Sequence, residues 1–233
     1  MMKSKQEQLI NRGYLTKDAE SAHLNISFDD KIKFLQSKIP TERTLGARLL
    51  ANPKDNITIS YLVNALIVEK KLYSKIEICN SLVLCGQLSI KPLIELLGKV
   101  GTNQHKKVPE KEFKKDSYPL PRDIASRTLV RIGKDALPEL IKVLESQNEK
   151  QLSEAIDAIG FICFYDYQPK IYSELKDCYL KNNKNDLIKW KIIRAMSSFP
   201  ESIAFLQEQK QILQDESLRK EIERSLSLIK KRT

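Results

Sequence analysis

The stretch that decides the fold is residues 122–144, which read RDIASRTLVRIGKDALPELIKVL. Its apolar residues recur at spacings of three, four and seven, as in helices that bury one face. Gly133 ends one helix and Pro138 opens the next, where each residue type is favoured. Residues 78–97 carry the same pattern 47 positions earlier, with seven positions matching in type. Such self-similarity is typical of a solenoid built from repeats.

The repeated frame is a small or branched apolar residue followed by apolar residues four and seven positions later. It recurs from Ala155, Ile192 and Ile222, and predicts pairs of helices. The predicted first helices are 29–38, 57–69, 89–100, 136–147, 169–181 and 201–213. The predicted second helices are 41–52, 73–85, 121–133, 149–163, 186–199 and 216–231.

We therefore expect an all-α protein, a right-handed α-solenoid of five to six helix pairs. It forms a single repeat domain over residues 29–233, preceded by a partly irregular N-terminal extension at 1–28. Residues 102–120, hereafter the insertion, lack a helical period and carry five lysines. Loops of this length inside a domain are functional or disordered, and the sequence leaves the order of the insertion open.

Residues 122–144 also fit the form Arg-x-x-Ala-x-x-x-Leu-x-x-Ile-Gly followed by a Pro-Leu helix. In this the chain resembles HEAT-repeat proteins, and more narrowly the HEAT-like repeats named after phycobilisome lyases, over residues 29–231. The resemblance implies that the second helices line a concave surface. It also implies that an arginine three residues before the small residue ties neighbouring repeats together through an acid. A fold resemblance of this kind implies little about activity.

Net charge is +10, from 40 basic and 30 acidic residues. Such an excess favours anionic partners, although lysine-rich surfaces also serve solubility alone. The four cysteines include no CxxC pair, and the two histidines, His23 and His105, lie far apart. We therefore expect no disulfide framework, no metal, no cofactor and a reducing cytoplasmic location. The N-terminus is charged and no apolar run follows it, so we expect no secretory signal. The sequence contains no run of about 18 apolar residues, so we expect no membrane span.

Arginines concentrate at two positions of the frame, counted from the small residue of each second helix. Position −3, at the edge of the core, holds Arg43, Arg122 and Arg219, and Lys75 and Lys189 stand there in other repeats. We expect these side chains to be structural, with Asp186 and Asp215 as partners of Lys189 and Arg219.

Position +2 lies on the face opposite the core. It holds Arg48, Arg127, Arg194 and Arg224, and Asp157 in one repeat. The family resemblance places this column along the concave groove, where guanidinium forks suit carboxylates and phosphates. The alternative is a solvated face with ordinary pairs four residues apart, such as Asp123 with Arg127.

Trp190, the only tryptophan, stands four residues before Arg194. It predicts a cation–π contact or a stacking platform, against the alternative of a tryptophan half-buried between repeats. The candidate binding residues are therefore Arg48, Arg127, Asp157, Trp190, Arg194 and Arg224.

Catalytic motifs such as GxSxG, a phosphate loop and HExxH do not occur in the sequence. The chain is similar in size and charge to alkylpurine DNA glycosylases built from HEAT-like repeats. That resemblance implies an aspartate one turn after the tryptophan, where this chain has Arg194. We therefore expect a non-catalytic, monomeric binding or scaffold module with an acidic protein or peptide partner. The alternatives are a nucleic-acid-binding protein, including a glycosylase-like enzyme, and a scaffold for the modification of another protein.

Overall fold

The computed structural model describes residues 4–52, 55–111 and 113–232, and these contain α-helices and 3-10 turns but no strand. Thirteen α-helices lie in this part of the chain. They are α1 (Lys5–Asn11), α2 (Phe28–Leu35), α3 (Pro40–Leu49), α4 (Asn56–Val68), α5 (Leu72–Leu84), α6 (Ile90–Leu96), α7 (Ile124–Ile132), α8 (Leu137–Lys142), α9 (Glu149–Tyr165), α10 (Ile171–Lys181), α11 (Asp186–Met196), α12 (Ile203–Ile212) and α13 (Glu216–Arg232). The all-α solenoid class is confirmed, and each predicted helix of the six pairs has its counterpart. Over the same residues, no helix is both long and apolar enough to cross a bilayer.

The chain divides into two compact units, Met1–Leu93 and Ile94–Thr233. In the N-terminal unit α3 packs between α2 and α5, and α1 also contacts α3. The first residues are tied to these helices, since the Gly13 carbonyl accepts a hydrogen bond from Thr44 Oγ1 (2.6 Å). The Tyr73 amide likewise donates to the Arg12 carbonyl (2.9 Å). The predicted extension at 1–28 is therefore, over its described part, packed against α3 and α5.

In the C-terminal unit the second helices α7, α9, α11 and α13 pack side by side in chain order. The first helices α8, α10 and α12 each contact the second helix that follows them. The frame explains this layer, because the small or branched residues Ala125, Ala155, Ile192 and Ile222 are fully buried. Close approach of helices requires such residues at the contact. Gly133 adopts a φ of 85°, which lets the chain turn directly from α7 toward α8.

The insertion packs against the second helices over its described residues, which are all but Glu112. Its anchor is Tyr118, which is buried against the aromatic rings of Phe161 and Phe164. Arg224 on α13 donates to three of its carbonyls, those of Phe113 (2.7 Å), Lys115 (3.2 Å) and Ser117 (2.8 Å). The insertion therefore lies across the second helices, on the side that the +2 positions occupy.

Candidate functional site

Charged side chains of successive second helices form ion pairs at fixed positions of the repeated frame. The +2 residue of one repeat bonds to the −1 residue of the next. In the N-terminal unit Arg48 pairs with Glu77, with Nε 3.2 Å from Oε1. In the C-terminal unit Arg194 pairs with Glu221, again through Nε and Oε1, at 3.4 Å. These arginines therefore connect neighbouring repeats.

The buried charge cluster, Glu154, Asp157 and Lys191, follows the same rule with the signs reversed. Lys191 Nζ lies 2.8 Å from Asp157 Oδ2 and 2.8 Å from Glu154 Oε1. All three residues are buried, with Lys191 0%, Glu154 1% and Asp157 3% exposed. Two carboxylates thus share one ammonium inside the protein. An ion pair in such surroundings is costly to break, since an unpaired buried charge remains.

Arg127 is the exception to the pairing rule. Its frame partner is Glu154, whose Oε1 is bonded to Lys191 instead. The predicted pair with Asp123 is wrong, because Asp123 caps α7 at the Ser126 amide and also accepts from Gln104 Nε2. Arg127 Nε donates to the Pro121 carbonyl. Within the described residues its two terminal nitrogens make no hydrogen bond and no ion pair.

The basic residues at the −3 positions also differ in whether they form ion pairs. Arg43 bonds Glu69 in the N-terminal unit (2.7 Å), and the predicted pair of Lys189 with Asp186 is confirmed (2.9 Å). The predicted pair of Arg219 with Asp215 is not observed, and the Asp215 side chain instead accepts from the Leu218 amide. Arg122 is exposed and makes no ion pair with any described residue. Two unpaired guanidinium groups, those of Arg122 and Arg127, therefore occur within one turn of the start of α7.

Trp190 is buried between two groups rather than open to solvent. The guanidinium carbon of Arg194 lies 3.7 Å from its ring centroid, which makes the predicted cation–π contact. His105 of the insertion packs edge-on against the same ring at 5.2 Å. Burial lowers the pKa of His105 to about 4, so its imidazole is neutral at pH 7. The ring of Trp190 is therefore already occupied by side chains of this chain.

A cavity of about 420 Å³ lies between the insertion and the second helices. We call it the arginine cavity, because Arg122, Arg127 and Arg194 line it together with Asp157, and His105 and Phe113 of the insertion line its other side. Pockets of this volume suit a small group or a few side chains. Its lining joins three guanidinium groups to one carboxylate, an arrangement suited to holding an anionic group.

The structure brings Arg127, Asp157 and Arg194 to one cavity, and Trp190 beneath Arg194. Arg224 pairs with Glu221 (3.0 Å) and holds the insertion, whereas Arg48 belongs to the N-terminal unit and contacts Glu77 and Glu20 there. An open groove along the +2 column was the expectation. It is not open here, because the insertion covers it in the C-terminal unit.

Sequence reasoning passed over Lys191 and Glu154, although a signal existed. Both stand at −1 in successive second helices and carry opposite charges. It also missed Arg122 as a member of the cavity, because its −3 position indicated a structural role.

Burial, reinforced by the Asp157 carboxylate, raises the pKa of Glu154 to about 7. Its usual value is 4.5, so the unfolded chain releases this proton earlier than the folded chain as pH rises. The stability from the raised pKa is complete below pH 4.5 and is lost as pH rises to about 7.

Glu154→Gln is expected to remove this loss, so that the melting temperature falls less between pH 5 and pH 7.5 than in the unmodified protein. Thermal melts by circular dichroism measure the slope. Glu149→Gln, at an exposed site on the same helix, is the control and keeps the slope of the unmodified chain. Equal slopes in the two variants would contradict the assignment.

No family model matches the chain and no curated protein matches its sequence, so the narrower family suggested by residues 122–144 remains a prediction. A solved structure of a designed armadillo repeat protein is similar with a TM-score of 0.37 and 15% identity. The match covers 87% of this chain and 100% of that protein. The fold class rests on the helices of the chain itself.

Proposed function

We propose that the chain is a non-catalytic binding module that holds an acidic segment of a protein partner at the arginine cavity. The observation that carries the proposal is the unpaired state of Arg127 among the described residues, when Arg48 and Arg194 in the same frame position are paired. A guanidinium fork with free terminal nitrogens matches the two oxygens of a carboxylate. Arg122 lines the same cavity and supplies a second fork.

The size of the cavity favours a peptide over nucleic acid. About 420 Å³ accommodates one or two acidic side chains, whereas a duplex requires a broad basic surface along its phosphates. The insertion also covers Trp190, so the ring offers no platform for a base. Binding of an acidic segment needs neither a base platform nor an open groove.

The test uses a peptide that begins with three glutamates and carries a fluorescent label at its C-terminus. We expect saturable binding by fluorescence anisotropy. The double variant Arg122→Gln/Arg127→Gln is expected to weaken binding about 100-fold, since it removes two charge-assisted contacts.

The control is Arg131→Gln/Arg219→Gln, which removes the same charge from exposed positions outside the cavity. It should bind like the unmodified chain. Equal loss in the two double variants would show non-specific attraction and overturn the proposal. Binding of a labelled DNA duplex in place of the peptide would favour a nucleic-acid partner.

A further inference from the structure

The arginine cavity contains an acceptor as well as donors. Asp157 is 3% exposed, and its Oδ2 accepts from Lys191. Its other oxygen, Oδ1, has no hydrogen-bond partner among the described residues, although it is buried. A buried carboxylate oxygen without a donor is unfavourable. The cavity therefore suits a ligand that donates a hydrogen bond at this point.

The charges next to Asp157 indicate which kind of hydrogen-bond donor the cavity favours in a ligand. Asp157 and Glu154 share the single ammonium group of Lys191. Arg194, which lines the same cavity, is paired with Glu221 and stacked on Trp190. Among the described residues, the Asp157 carboxylate thus shares its one cationic partner with Glu154. A positively charged donor would balance this carboxylate, whereas a neutral amide would not.

We infer that the arginine cavity binds the free N-terminus of a peptide that begins with an acidic residue. The α-ammonium group donates to Asp157 Oδ1, and the first carboxylates accept from Arg122 and Arg127. This inference rests on the proposed function and names the part of the partner that enters the site.

A chain end also suits the geometry of the cavity. The insertion lines one side of the cavity with His105, Pro109 and Phe113, and α7, α9 and α11 line the other. The volume of about 420 Å³ holds one or two side chains, and a chain end places fewer residues there than a segment that continues in both directions. Capture of a terminal amine by fixed acceptors is a known mode of peptide recognition.

The experiment compares two peptides that begin with three glutamates and differ only in acetylation of the N-terminus. We expect acetylation to weaken binding to the unmodified chain about tenfold or more, because it removes the charge-assisted bond. Equal affinities would overturn the inference and leave the proposed function intact. Failure of both peptides to bind would instead overturn the proposed function itself.

Asp157→Asn supplies the second comparison. This variant should bind the free-amine peptide about tenfold more weakly and the acetylated peptide unchanged. Asp177→Asn, at an exposed position on α10, is the matched control and should leave both affinities unchanged. Circular dichroism checks the fold of each variant, and the acetylation comparison on the unmodified chain decides the matter if Asp157→Asn does not fold.

A third peptide tests whether a lysine side chain can replace the terminal amine. It is acetylated and begins with lysine followed by two glutamates. We expect it to bind as weakly as the acetylated glutamate peptide. Affinity equal to that of the free-amine peptide would overturn the assignment to the N-terminus.

Discussion

Lys191→Met is expected to lower the free energy of unfolding of the C-terminal unit by about 3–5 kcal/mol. Lys191 is 0% exposed and bonds two carboxylates that are themselves buried. Methionine fills a similar volume but leaves Glu154 and Asp157 without a counter-charge. In a protein of this size such a loss lowers the melting temperature by roughly 10 °C or more.

Chemical unfolding followed by circular dichroism measures this effect. Lys181→Met is the control, because Lys181 makes an exposed pair with Glu145, and exposed pairs contribute about 1 kcal/mol or less. The triple variant Glu154→Gln/Asp157→Asn/Lys191→Met should recover most of the loss, since no buried charge remains unpaired. A Lys191→Met protein as stable as the control would contradict the buried charge cluster.

Tyr118→Ala is expected to destabilise the C-terminal unit by about 3–5 kcal/mol and to release the insertion from the second helices. The ring of Tyr118 is buried beside Phe161 and Phe164. It also lies against Gly160, where an added Cβ atom would meet the Tyr118 hydroxyl at 2.0 Å. Removal of the ring leaves the insertion held by Arg224 and Lys231 of α13. Gln104 and His105 also still hold its first part, at Asp123 and Trp190.

Limited proteolysis with trypsin reads out this release at the exposed residues Lys111, Lys114 and Lys115 of the insertion. We expect faster cleavage there in Tyr118→Ala. Tyr118→Phe is the matched control, because it keeps the ring and removes a hydroxyl that has no hydrogen-bond partner among the described residues. It should be as stable as the unmodified chain or more stable, by about 1 kcal/mol. Equal cleavage rates in the two variants would show that Tyr118 does not anchor the insertion.

The helix pairs could be predicted because their signal is local and repeated. Ala125 and Ala155 recur with the same apolar spacing, and both are fully buried as the frame requires. Gly133 marks a helix end for a reason that depends on its own backbone alone.

The path of the insertion could not be predicted in this way. It depends on contacts such as that between Arg224 and the Ser117 carbonyl, which lie 107 residues apart. A backbone carbonyl has no side-chain pattern in the sequence, so nothing local identifies it as a partner.

The candidate site was predicted only in part, because its side-chain pairing also depends on contacts between distant residues. The frame placed Arg127, Asp157 and Arg194 on one face, and these residues do line one cavity. The frame did not show that Arg194 is paired while Arg127 is not, because this depends on which carboxylates form ion pairs with Lys191. That competition between Arg127 and Lys191 for Glu154 is a property of the folded layer of helices.

Trp190 permits the most direct test of the central claim, that an acidic segment binds in the arginine cavity. It is the only tryptophan, and its ring lies 3.7 Å from the guanidinium of Arg194, which lines the cavity. Titration with the free-amine glutamate peptide, unlabelled, is predicted to give a saturable change in tryptophan emission that is absent in Arg122→Gln/Arg127→Gln. An emission spectrum that stays constant up to about 1 mM peptide, or that changes equally in the double variant, would contradict the account.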